Sequence, residues 1–239
     1  MAASTSASVS FNLDLVTTVE EAFERNGQES RTGYDMRTAS RSLNIMFMDW
    51  ANRGINLWTM DVQSIPLVAG TATYNLPLDT VDLLDHVTRT GTGTNQTDIN
   101  ITRISSSVYE MIPNKNATGR PIQVWINRLT GANNSGTTAY PTITVWPIPD
   151  TGSSYTFNYT RLRRMYDVGT GANIQDISFR FIPAMVSGLA YYLSFKLPGV
   201  DPQRRGELKA VYEEDWMRAA DEDREKAPVR FVPRQTFLR

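Results

Sequence analysis

The amino-acid sequence predicts an α+β protein: a four-helix bundle formed by the N- and C-terminal helix pairs, an antiparallel β-sandwich or barrel inserted between them, and an extended C-terminal arm. Three observations carry that prediction. Apolar residues recur at helical spacing near both ends of the chain, whereas in the middle the period falls to two. Short apolar runs there are separated by turn-forming clusters such as GTGTNQ and GANNSGTT, the pattern of sandwiches and barrels. Each helix pair carries a stripe that needs a cover, and packing the first pair on the last is the economical solution. The expected segments are a flexible N-terminal arm (1–12), a first helical half (13–56), the β insertion (57–176), a second helical half (177–227) and a C-terminal docking arm (228–239).

A first helix is expected over 13–26, where Val16, Val19 and Phe23 recur and Gly27 supplies a stop. A stronger one follows a turn at Thr32 and Gly33. Its stripe is Ala39, Leu43, Met46, Phe47 and Trp50, while Ile45 and Met48 add a second apolar edge, so packing on two sides is expected. From 57 to 67 the period is two: Trp58, Met60 and Val62 face one way, Thr59, Asp61 and Gln63 the other. Ala69 and Gly70 read as a turn into a return strand over 73–76. Further strands are expected over 83–89, 99–104, 122–127, 142–146 and 155–163, with one short helical turn where Ser107 and Glu110 stand like a capping box.

Helical spacing returns with Ile182, Val186, Leu189, Leu193 and Leu197, stopped by Pro198 and Gly199. Asp201 and Pro202 open the last helix: a carboxylate caps the free N–H groups, and proline takes a position that needs no donor. Leu208, Val211, Tyr212, Trp216 and Ala219 form its expected buried stripe, and Pro228 ends the acidic run that follows.

Composition removes several function classes. The 239 residues carry 24 basic and 25 acidic side chains, so the phosphate-neutralising excess of a dedicated nucleic-acid binder is missing. Cysteine is absent, which excludes disulfides, thiolate metal sites and cysteine nucleophiles and fits synthesis in a reducing cytoplasm. His86 is the single histidine, so clustered imidazole ligands are excluded too. The first ten residues lack the basic start and apolar run of a signal peptide. The charge-free run 181–195 is too short to span a bilayer and reads as a buried helix, so no membrane partner is expected.

Motifs that carry chemistry are scarce. Neither GTGTNQ nor GTGANI completes a phosphate-binding glycine loop, and there is no nucleophile elbow or calcium loop. Asp79, Asp82, Asp85 and His86 form the best catalytic candidate, because carboxylates beside an imidazole can bind a metal or shuttle protons. The favoured reading is that these aspartates cap turns and cover the solvent side of Val81, Leu83, Leu84 and Val87. Tyr155, Phe157, Tyr159, Arg161 and Arg163 share one face of a strand. They suit base stacking, or, as the favoured reading, a buried aromatic half with arginines emerging at the sheet edge. No catalytic residue, cofactor or metal is assigned. The segment 228–239 combines Arg230, Arg234 and Arg239 with Phe231, Phe237 and Leu238 and no acid, which suits a docking arm.

The block RTGYDMRTASRSLNIMFMDWANRGINLWT (31–59) resembles the opening of head-to-tail adaptor proteins of tailed bacteriophages, the connector or head-completion proteins similar to tail tubular protein A. The likeness continues in PNKNATGRP (113–121) and in the closing helical hairpin with its acidic end, and covers most of the chain in layout. It carries no catalytic signature. The resemblance implies a non-enzymatic structural protein of the virion: a homo-oligomeric ring, twelve-fold, at the head–tail junction between the portal protein and a tail or nozzle protein. DNA passes through its lumen on ejection without sequence-specific binding. It also implies a C-terminal arm that reaches the portal, which makes Arg230, Phe231, Arg234, Phe237, Leu238 and Arg239 the expected contacts. Two other classes stay open: a virion-associated glycan hydrolase using a carboxylate pair such as Asp82 and Asp85, and a carbohydrate-binding β module.

Overall fold

The computed structural model describes residues 13–30, 32–54, 57–128, 140–152, 154–169 and 173–224. Five α-helices lie in these residues: α1 (Leu15–Arg25), α2 (Gly33–Asn52), α3 (Ser106–Glu110), α4 (Ile182–Ser194) and α5 (Pro202–Glu222). Two compact units result. One combines Met1–Asp49 with Asp167–Arg239; the other is Trp50–Tyr166.

In the helical unit α1, α2 and α5 start at a side-chain cap, whereas α4 starts at Phe181 without one. Asp14 Oδ1 accepts the Thr17 N–H at 2.8 Å, and Gly27 ends α1 with φ +72°, a conformation that costs other residues a steric penalty. Thr32 and Asp35 cap α2 reciprocally: Thr32 Oγ1 accepts from Asp35 N at 3.2 Å, and Asp35 Oδ2 from Thr32 N at 3.1 Å. Asp201 Oδ1 accepts from Gln203 N at 3.0 Å ahead of Pro202. The α2 stripe Ala39, Leu43, Met46, Phe47 and Trp50 is buried as expected. Packing on two sides is not what the subunit does, however, because Ile45 and Met48 stay exposed at 53 % and 66 %.

Segments from both ends of the chain meet in this unit. The Asn26 amide donates to Ala190 O at 2.9 Å, Arg204 Nη2 to Arg25 O at 3.0 Å, and Lys196 Nζ to Ser42 Oγ at 2.7 Å. Helix α4 is buried nearly all round, so its apolar residues form no single stripe. Gly188 lets it come close: a Cβ there would stand 2.5 Å from Met46 Sδ and 2.7 Å from the Tyr212 ring. On α5, Leu208, Tyr212 and Ala219 are buried, Trp216 is half-buried, and Val211 is exposed against expectation. None of the described helices is long and apolar enough to cross a membrane.

The second unit is built from β1 (Met60–Leu67), β2 (Thr73–Asn75), β3 (Thr80–Thr90), β4 (Thr97–Asn100), β5 (Thr102–Ile104), β6 (Thr118–Gly119), β7 (Gln123–Asn127), β8 (Thr142–Trp146), β9 (Ile148–Pro149) and β10 (Tyr155–Arg163). Two four-stranded sheets run β1-β10-β3-β4 and β2-β8-β7-β5, and β6 pairs with β9. Both four-stranded sheets are open, which corrects the barrel alternative, and the β5–β7 and β6–β9 pairings are parallel. Leu83, Phe157 and Tyr159 from one sheet and Val124, Ile143 and Val145 from the other share one buried cluster.

Three local expectations are corrected here. The return strand β2 pairs with β8, not β1, because the Tyr74 hydroxyl holds the turn from both sides. It accepts from Val68 N at 2.8 Å and donates toward Thr71 O at 2.8 Å, and the chain passes to the other sheet. The strand expected over 99–104 is two strands in different sheets, joined at the buried Ile101. The cap of α3 is Ser105, whose Oγ accepts from Val108 N at 3.3 Å, so the box of Ser107 and Glu110 does not form.

Candidate functional site

The catalytic candidate Asp79, Asp82, Asp85 and His86 does not converge. Asp79 Oδ1 bonds Arg161 Nη1 at 2.6 Å, Asp82 holds Arg103 and Arg128 with its two oxygens at 3.0 Å each, and Asp85 is exposed. His86 turns instead toward Phe157, with ring centroids 6.0 Å apart. Burial, and then the charge of Arg103, lower the pKa of its imidazole below the ordinary histidine value. Among the described residues no group of three or more His, Asp or Glu is placed to hold a metal ion.

The strand β10 places its stripe inward. Tyr155, Phe157 and Tyr159 are buried as expected, but Arg161 is buried with them instead of emerging at an edge, and Arg163 is half-buried: β10 lies between β1 and β3. Arg161 is held by Asp61 Oδ2 at 3.1 Å, Asp79 Oδ1 at 2.6 Å and Thr80 Oγ1 at 3.1 Å. Burial alone would lower its pKa, but the hydrogen bonds it donates to Asp79 and Asp61 outweigh burial and raise it. The group is structural, and it offers nucleic acid no stacking face.

A surface without an internal partner lies on α2. Tyr34, Arg37, Arg41, Ile45 and Met48 follow one another at helical spacing, and all five are exposed. The same helix buries its other stripe, so this second edge is apolar at its C-terminal half and cationic at its N-terminal half. Arg41 reaches Arg37 O at 3.3 Å and Thr38 Oγ1 at 3.4 Å. Neither Arg37 nor Arg41 forms an ion pair with a described residue. Burial and then the Arg41 charge lower the Lys196 pKa below the ordinary lysine value. Beside this edge a groove of about 700 Å³ runs past Leu15, Met36 and Gly169. An exposed apolar edge with unpaired cations suits a protein partner. Sequence reasoning found Ile45 and Met48 but took them as covered; Tyr34, Arg37 and Arg41 were legible only as the continuation of their face.

The expected portal contacts Arg230, Phe231, Arg234, Phe237, Leu238 and Arg239 lie outside the described residues. The sequence profile of the SU10 adaptor protein family matches residues 13–232. No curated protein matches the chain.

Proposed function

From the premise that this chain belongs to the SU10 adaptor protein family of phage head–tail adaptors, we propose that it is a ring-forming subunit that joins the portal to the tail and lets DNA pass. The four long helices then act as the bundle that packs between copies and the portal, and the β unit acts as an inserted sandwich. The observation that supports this is the uncovered α2 edge. A cyclic ring needs on every copy a patch that fits a different patch of the next copy, and Ile45 and Met48 are apolar side chains with no use in the single subunit. Twelve copies, a tail or nozzle protein below and the head–tail junction as location belong to the same reading.

The C-terminal arm supplies the portal contact. Phe231, Phe237 and Leu238 each contribute about 1.5–3 kcal/mol if fully buried in a partner groove, against about 0–1 kcal/mol for each exposed arginine ion pair. Replacing both phenylalanines with alanine is expected to abolish or greatly weaken portal binding. Replacing Arg230, Arg234 and Arg239 with glutamine mainly slows association and changes its salt dependence. Electron microscopy of the chain mixed with its portal protein tests the role as a whole: a ring seated on the portal is expected. A peptidoglycan zymogram tests the rival. Clearing that is lost in the Asp82→Asn, Asp85→Asn chain would replace the adaptor reading with a hydrolase.

A further inference from the structure

A groove of about 470 Å³ runs between α1 and α4, with Leu13, Ile182 and the 3 % exposed Val186 along it. Its α1 rim is acidic. Glu20 and Glu24 stand one turn apart, both exposed, and neither forms an ion pair with a described residue; Glu21 is already held by Arg25 at 2.9 Å. Like charges at that spacing repel, so this edge of α1 gains from any cation brought to it. A second groove, of about 360 Å³, is lined by Arg180, Pro183, Asp215, Arg218 and, in the last turn of α5, Glu222, and Pro183 also lines the first. The end of α5 therefore stands at a groove that shares Pro183 with the one along the acidic rim.

The sequence beyond α5 has the complementary chemistry. Residues 228–239 carry Arg230, Arg234 and Arg239 without an acid, interleaved with Phe231, Phe237 and Leu238. Residues 225–239 reach up to roughly 50 Å when extended. We propose that the α1–α4 groove is the seat of this chain's own C-terminal segment in the isolated subunit, with its arginines against Glu20 and Glu24 and its phenylalanines over Ile182 and Val186. The seat keeps the arm from other surfaces until a portal competes for it. That release rests on the function proposed above; the seat itself does not.

Trypsin cleavage after Arg234 in the isolated full-length chain tests this, each rate being normalised to a synthetic peptide of residues 225–239 with the same substitutions. Protection of at least ~10-fold at low salt is expected, because cleavage follows the population of the open arm. It should vanish in the Glu20→Lys, Glu24→Lys chain and, with the groove intact, in the Phe231→Ala, Phe237→Ala chain. Circular dichroism checks that both variants are folded. Cleavage of the native chain at the peptide's rate overturns the proposal, as does protection that survives both variants. Protection that grows with protein concentration assigns the groove to the arm of a second copy and overturns the seat within one chain. No portal is present, so none of these outcomes bears on the adaptor role, which the ring experiment tests separately.

Discussion

The helical unit closes its core by shape, around Gly188, Met46 and Tyr212, and buries no charged side chain among the described residues. The β unit closes part of its core by charge, wrapping the buried Arg161 in Asp61, Asp79 and Thr80. The difference decides how each tolerates change. A packed helical core registers every added methyl group, whereas a buried cation registers every lost acceptor. It also decides what remains outside: the helical unit has an apolar helix edge left over, which is where a partner gains most.

The largest expected effect breaks the β unit. Asp61→Ala with Asp79→Ala leaves Arg161 buried without a counter-ion, and chemical denaturation should show a loss of about 3–5 kcal/mol. Arg161→Met should cost less, because the carboxylates left behind are each roughly a third exposed and can be hydrated. Equal losses would mean that the pair is not desolvated as its geometry indicates.

Gly188→Ala comes next and acts on the other unit. Overpacking against Met46 and Tyr212 should cost about 1–3 kcal/mol, outweighing the roughly 0.5–1 kcal/mol that alanine gains in a helix interior. A chain as stable as the native one would show that α2 and α5 yield to the new methyl group and that the close approach is not required.

The smallest effect is a pH dependence confined to the β unit. His86 has a folded pKa below its unfolded value of 6.5, so the unfolded state binds more protons between the two. Stability linked to His86 is therefore complete above pH 6.5 and is lost as pH falls through the folded pKa. The helical unit has no histidine; there the hydrogen bonds from Thr17 hold the Asp14 pKa below 3.8, so the stability linked to Asp14 is lost only below that value. Hydrogen exchange resolved by unit should show β protection falling first, and His86→Gln should remove that step. Simultaneous loss in both units would contradict the assignment.

Much of the helical unit was legible in the sequence because its determinants are local. The cap at Asp201, the stop at Gly27 and the Ala39–Leu43–Met46–Phe47–Trp50 stripe each lie within a few residues of what they control. Spacing could not say which edge of α2 is covered, since both edges read alike. The β strands were visible by their period, but their partners were not: Arg161 pairs with Asp61 across about a hundred residues, and periodicity holds no register. Hence the stripe on β10 was recognised as one face while its arginine was placed at the wrong end of the sheet. For the Asp79 to His86 run, closeness in sequence could not show whether the side chains converge in space, and the favoured reading kept the aspartates on the solvent side.

Assembly through the α2 edge is tested most directly by native mass spectrometry of the chain mixed with its portal protein, native sequence beside an Ile45→Asp, Met48→Asp variant. Both positions are exposed, so the variant should keep its stability within about 0.5 kcal/mol. The native chain should load many copies per portal, and the variant should fail to complete the set. One bound copy of the native chain, or none, would contradict the adaptor role; a variant that loads as fully as the native chain would place the contact between copies elsewhere.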